Sequence, residues 1–246
     1  LVGSEMCIRD RVTQPRHTKG VPLREQFRQQ MQELSDTLVL QAKAAAKAMN
    51  GAAASLTDAN LALAERVIDA DHSIDMLERN IDDMGISLLA RQAPVAGDLR
   101  TVVSALRLSA TLERMGDLAR HVAYVARGRF PQAVVKGEVQ QLFEKMATKA
   151  AEVGNLVAKL VETQDLSIAA QIIADDDVLD DFHSRTFDYV LDDSLDLTRQ
   201  EIVDIILLGR YLERFGDHGV SVAHRMRFLV TGMALDDEEM AQIEEF

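Results

Sequence analysis

Apolar residues recur every three to four positions through six long segments, and short polar or Gly/Pro-containing breaks separate them. Val102, Val103, Leu106, Met115, Leu118 and Val122 follow this spacing in one segment, and Ile202, Ile205, Ile206, Leu208, Leu212, Phe215 and Val222 follow it in another. The breaks fall at Thr57-Asp58, Pro94 to Gly97, Phe130-Pro131 with Gly137 beyond, Gln164-Asp165, and Asp192 to Asp196. They predict helices over about Leu23–Met49 with an extension to Leu56, Asp58–Gln92, a third from an N-cap at Asp98, Val139–Val161, Leu166–Leu191, and a sixth from an N-cap at Thr198. Thr198 and Glu201 form a capping box. Long helices joined by short loops lie antiparallel. The expected fold is therefore all-α, with two tandem pseudo-symmetric three-helix bundles side by side and a boundary near Pro131.

The second half repeats the first. Glu113-Arg114-Met115-Gly116-Asp117 recurs 100 residues later as Glu213-Arg214-Phe215-Gly216-Asp217. One helix upstream, Asp71-His72-Ser73-Ile74 aligns with Asp175-Asp176-Asp177-Val178 at an offset of 104. The domain reading that follows is a first three-helix repeat at 23–130 and a second at 131–232. Residues 1–22 and 233–246 stand outside as a leading arm and an acidic tail. Met6 to Arg11 reads like the translation of a transposon end used in sequencing libraries, so residues 1–22 are taken as a scar plus a disordered arm and left out of fold reasoning. Cys7, the chain's one cysteine, goes with them, so the sequence supports no thiol chemistry.

Composition agrees with helices. The 246 residues include only 13 Gly and 4 Pro and no Trp, and no apolar run reaches the roughly 18 residues of a membrane span. Charge narrows the function. Lys and Arg number 27 against 40 Asp and Glu, for a net −13, which argues against a generic nucleic-acid binder. Six of the carboxylates lie in Asp236–Phe246 with no basic residue, and much of the rest gathers on the repeated helices.

Glu113 with Asp117, and Glu213 with Asp217, lie four residues apart and share a helix face, where like charges repel. Gly116 and Gly216 interrupt strong helical patterns at a cost of about 1 kcal/mol each relative to Ala. Something therefore approaches the backbone closely there, either a neighbouring helix or a bound ion. The partner helices contribute Asp69, Asp71, Asp75, Glu78, Asp82 and Asp83, then Asp175, Asp176, Asp177, Asp180 and Asp181. Two readings stay open: solvated acidic faces stitched by Arg79, Arg114, Arg120 and Arg214, or carboxylates converging on cations. Hard oxygen donors suit Mg²⁺, Mn²⁺, Ca²⁺ or iron, whereas zinc more usually recruits His or Cys. Asp69-x-x-His72 and Asp180-x-x-His183 fit the di-iron carboxylate bundles poorly, having Asp for Glu and three helices per unit. His121 reads as a surface pair with Asp117 or a peripheral ligand. The Ala42–Ala48 and Gly51–Ala54 stretches read as close helix packing, and the methionines as core filler.

Gln92-Ala93-Pro94-Val95-Ala96-Gly97-Asp98-Leu99-Arg100, leading to Leu112-Glu113-Arg114-Met115-Gly116-Asp117 and then to Leu212-Glu213-Arg214-Phe215-Gly216-Asp217, resembles the PhoU family of bacterial phosphate-signalling regulators over about Leu23 to Gly232. The resemblance implies a cytoplasmic, non-enzymatic, usually dimeric protein that binds metal on acidic helix faces. It further implies a repressor of phosphate-starvation genes that links the phosphate-specific ABC transporter to a sensor histidine kinase. Carried over, the metal positions are Glu113, Asp117, Glu213 and Asp217, with Asp71 and Asp75 from the first partner helix. On the second partner helix Asp175 matches, but Leu179 stands opposite Asp75, so that half-site needs Asp177, Asp180 or Asp181 through a shifted register, of which Asp181 is taken. The implied ions are iron, Mn, Mg or Zn. Arg100 is a partner contact or a structural residue. The overall acidity disfavours phosphate binding without a metal bridge. A carboxylate-bridged iron oxidase or metal store is the alternative from another class.

Overall fold

The computed structural model describes residues 23–233, so the scar, the arm and almost all of the acidic tail lie outside the described residues. Six helices account for the architecture: α1 (Leu23–Thr57), α2 (Leu61–Gln92), α3 (Ala96–Arg129), α4 (Gly137–Thr163), α5 (Leu166–Leu191) and α6 (Arg199–Thr231). Their limits follow local chemistry. The Asn60 side chain accepts the Leu63 N–H to start α2, Asp165 accepts the Ser167 N–H to start α5, and Thr198 and Glu201 complete the expected capping box of α6. Gly232, at φ 71°, closes α6 in the left-handed conformation.

α1 follows the extended reading and runs unbroken through Asn50 and Gly51 to Thr57, while the starts of α2 and α3 differ from the sequence expectation. A Cβ on Gly51 would lie 2.7 Å from Val67 on α2. α2 starts at Leu61 rather than about Asp58, with Asn60 as its cap. Asp98 is not a cap; the extended residue after Pro94, Val95, takes the N-cap position without a side-chain bond, and Asp98 sits in the first turn, where its charge complements the helix dipole.

Helices α1–α3 pack on one another, as do α4–α6, and the halves join through α1 against α4 and α3 against α6. α2 and α5 flank this central group from outside. One continuous apolar core runs through both halves, from Leu34 and Met49 through Leu112 and Met146 to Phe215 and Met226, so the chain division at Pro131 does not divide the core. At the α1/α4 contact, Asn50 Nδ2 donates to Asn155 Oδ1 at 2.9 Å, and Asn155 Nδ2 donates to Asn50 Oδ1 at 3.4 Å. Antiparallel α3 and α6 are registered at three points. Arg100 Nε donates to the Leu229 carbonyl at 3.2 Å, the His121 and Tyr211 rings stack 5.0 Å apart, and Arg129 forms a two-point bond with buried Asp204. Arg100 is thus a structural tie. His121 serves the same interface through its ring.

Candidate functional site

Two grooves carry the repeated carboxylates, one between α2 and α3 and one between α5 and α6. The mid-helix glycines set both. A Cβ on Gly116 would come within 2.8 Å of Ile74 Cδ1, and one on Gly216 within 2.6 Å of Leu179 Cδ1 and 2.9 Å of Asp176 Oδ1. What approaches the glycines is therefore the neighbouring helix. Since Ile74 and Leu179 take the same role, the repeat on α2 and α5 runs at an offset of 105, one residue beyond the sequence alignment. That register pairs Asp71 with Asp176, Asp75 with Asp180, and Glu78 with His183. It corrects the second groove. Asp175 turns toward α4, 3.8 Å from Lys149, and exposed Asp181 lies 4.0 Å from Arg185 on its own helix, so neither joins Glu213 and Asp217.

The first groove neutralises itself. Arg120 places Nη1 2.7 Å from Asp71 and Nη2 2.6 Å from Asp117, while Arg114 reaches Asp117 at 3.3 Å and Glu113 at 3.5 Å. Burial, and then Asp117, push the Glu113 carboxyl up to about 7, with Arg114 opposing. Asp71 is raised by burial, against the Arg120 charge. Asp75 stands half-buried at the groove's edge.

The second groove lacks that guanidinium. Arg120 corresponds to Val220, a buried apolar residue. Glu213 and Asp217 are 8% and 4% exposed, too enclosed for a solvated acidic face. One oxygen each of Asp180, Glu213 and Asp217 can lie within 4.8 Å of the others, and this is the group of three found among the described residues. Burial first, then Glu213 and Asp176, push Asp217 up to about 8. Burial, then Asp180 and Glu213, push Asp176 up to about 7, and its buried Oδ1 has no hydrogen-bond partner. Arg210 meets Glu213 at 2.6 Å from the rim, and His183 Nδ1 stands 4.0 Å from Glu213. Burial and then Arg210 lower the His183 pKa, favouring the neutral imidazole that can coordinate a cation.

The donor sets decide which groove fits a metal. Clustered hard oxygens with one imidazole beside them suit a divalent ion in the second groove. In the first, Arg120 already fills the position between Asp71 and Asp117, and the residues do not fit an ion there. Sequence reasoning offered Asp180 as one of three shifted-register candidates without choosing it, and took Asp176 and His183 into its acidic and histidine inventories without placing them at the site. The usable signal was the apolar pair Ile74 and Leu179 opposite equivalent glycines.

The comparisons agree with this architecture. The family model described as "PhoU domain" matches residues 38–126 and 143–226. The "Phosphate-specific transport system accessory protein PhoU homolog 2" of Mycobacterium tuberculosis is 41% identical over 210 residues, covering 85% of this chain and 99% of that one. Its counterpart from Pseudomonas aeruginosa, "PhoU homolog", is 30% identical over 85% of this chain and 86% of its own. The crystal structure of PhoU from Pseudomonas aeruginosa superposes with a TM-score of 0.74 at 26% identity, over 84% of this chain and all of that one. The phosphate transport system regulatory protein PhoU from Streptococcus pneumoniae shares the fold, with a TM-score of 0.75 at 22% identity over 85% of this chain and 99% of its own. Two copies of one helical unit, joined through α1/α4 and α3/α6 and carrying the repeated Glu-Arg-x-Gly-Asp elements, belong to a chain of the PhoU family.

Proposed function

We propose that this chain is a non-enzymatic adaptor that represses the phosphate-starvation response, coupling a phosphate-specific ABC transporter to a sensor histidine kinase. It works in the cytoplasm as a homodimer, and each half, 23–130 and 131–232, is one repeat of the family. Family membership and the accessory-protein names of its relatives support the phosphate-system assignment. Among the described residues no helix is long and apolar enough to cross a membrane, which is consistent with contact through partners. The observation that carries the reading is the α5/α6 groove, where Asp180, Glu213 and Asp217 converge.

A cation such as Mn²⁺, Mg²⁺ or iron, or zinc through His183, would be held by these three carboxylates and would offset their repulsion. Asp176 behind them and Arg210 at the rim set the field around it. With the cation bound, α5 is tied to α6. Without it, buried carboxylates must share protons or separate, so the groove is the point at which this face can take two states. Rivalry from an iron oxidase is settled by oxygen consumption with ferrous iron, which the adaptor reading predicts to be absent.

The test is expression of phosphate-starvation genes in a deletion strain carrying wild type, Glu213→Gln with Asp217→Asn, or Glu113→Gln with Asp117→Asn. Loss of repression in the α6 variant, with repression kept by the α3 variant, is expected. Full repression by the α6 variant overturns the assigned role of that groove.

A further inference from the structure

Between the two acidic grooves runs a cationic seam, and we infer that it holds a phosphate-type oxyanion between Arg107 of α3 and Arg225 of α6. The α3/α6 register fixes the pairing. Arg100 meets Leu229 and the Gly232 backbone, and His121 meets Tyr211, so Arg107, seven residues beyond Arg100, falls opposite Arg225 on the antiparallel helix. The two guanidiniums are close enough that Arg107 opposes the charge on Arg225.

Among the described residues no carboxylate forms an ion pair with Arg107 or Arg225, although the chain has 40 acidic residues. Arg225 is half-buried, and its Nε is fully enclosed without an acceptor. A buried donor left unmade is costly, and so is a pair of like charges, while arginine cannot relieve either by losing its proton. An anion resolves both.

Packing does not require the pair. The repeat places Leu207 and Val125 at the equivalent positions of the other half, where the same crossing is made with two apolar side chains. The arginines are therefore an addition specific to one end of the seam. Two guanidinium forks from different helices suit a tetrahedral dianion, which accepts several charged N–H donors at once. The net acidity of the chain does not forbid this, because the local field is set by Arg107 and Arg225.

Free phosphate and the phosphate of a nucleotide offer the same chemistry. Full-length protein stripped of metal with a chelator, which removes any metal-bridged binding, is titrated calorimetrically with inorganic phosphate and with AMP at constant ionic strength, chloride serving as control. Saturable binding of either is expected, the tighter one naming the source. Arg107→Leu with Arg225→Val, the residues of the equivalent pair, should weaken it more than about tenfold, as deletion of charged donors does. Exposed Arg107→Leu alone provides the same readout should the double variant fold poorly. Absence of saturable binding to wild type, or affinity unchanged in folded variants, overturns the proposal.

Discussion

Arg120 Nη1 lies 2.7 Å from Asp71 Oδ2, and the residue that repeats Arg120 in the second half is Val220. That exchange, arginine for valine, separates a groove whose Asp71 and Asp117 share a guanidinium from one in which a valine stands at that position and Arg210 meets Glu213 at the rim. The same Arg120 reaches Asp117 at 2.6 Å, so a single side chain closes the first groove.

Removing that side chain should open the first groove. Arg120→Val copies the second half and leaves Asp71 and Asp117 facing each other. In chelator the variant should lose about 1–3 kcal/mol, less than a fully buried broken pair because Arg120 is 28% exposed. Divalent cation should restore the loss and add a second binding site. Chemical denaturation with and without Mn²⁺ measures both.

pH should act on the second groove in a defined direction. Asp217 and Asp176 are raised to about 8 and about 7 in the folded chain, both by burial first. A carboxyl raised on folding stabilises the fold at low pH and loses that contribution as pH rises through the folded value. Metal-free protein should therefore become less stable across the window from about pH 4 to about pH 8. Each 1 kcal/mol moves Tm by about 2–4 °C in a chain of this size, so the decline should be readable by thermal denaturation. Asp217→Asn with Asp176→Asn should make it shallower, part of the decline remaining with Glu113, which is also raised to about 7.

The glycines should divide by what they meet. Gly128 has open space where a Cβ would go, so Gly128→Ala should be neutral to stabilising by up to about 1 kcal/mol. Gly216→Ala forces a methyl against Leu179 and Asp176 and should cost about 1–3 kcal/mol. Gly116→Ala meets Ile74 at Cδ1, 2.8 Å, and at Cγ2, 3.2 Å, with no carboxylate in the way, and should fall between. Equilibrium unfolding ranks the three.

The Arg129–Asp204 tie joins the two halves at the far end of α3. Asp204 is 3% exposed and also accepts from Gln200 at 3.1 Å, so Asp204→Ala should lose about 1–3 kcal/mol, the 32% exposure of Arg129 letting water take up part of the charge. Unfolding midpoints of Asp204→Ala and Asp204→Asn measure it, the asparagine retaining part of the bond.

Much of the helix plan was legible because breaks are written in local chemistry: the Thr198–Glu201 box and the Pro94 and Gln164-Asp165 breaks all stand where helices start or stop. Asp98 misled because an acidic residue suits a cap and a first turn alike. The α3 and α6 carboxylates were readable from an identical repeat. Their partners on α5 were not. Asp175, Asp176 and Asp177 follow one another around the helix, and composition cannot say which faces α6. Only Leu179 seated against Gly216 fixes the turn. Arg120 was read as one of several stitching arginines, and its meaning emerged from the contact with Asp71 across two helices, which no spacing along the chain encodes.

The most direct test of the account counts Mn²⁺ ions bound by chelator-treated protein in calorimetric titration. Wild type and Glu113→Gln with Asp117→Asn should each bind one tight ion per chain, at the group Asp180, Glu213 and Asp217, and Glu213→Gln with Asp217→Asn should bind none tightly. Tight binding that survives in the α6 variant and disappears in the α3 variant would contradict the assignment of the cation to the second groove.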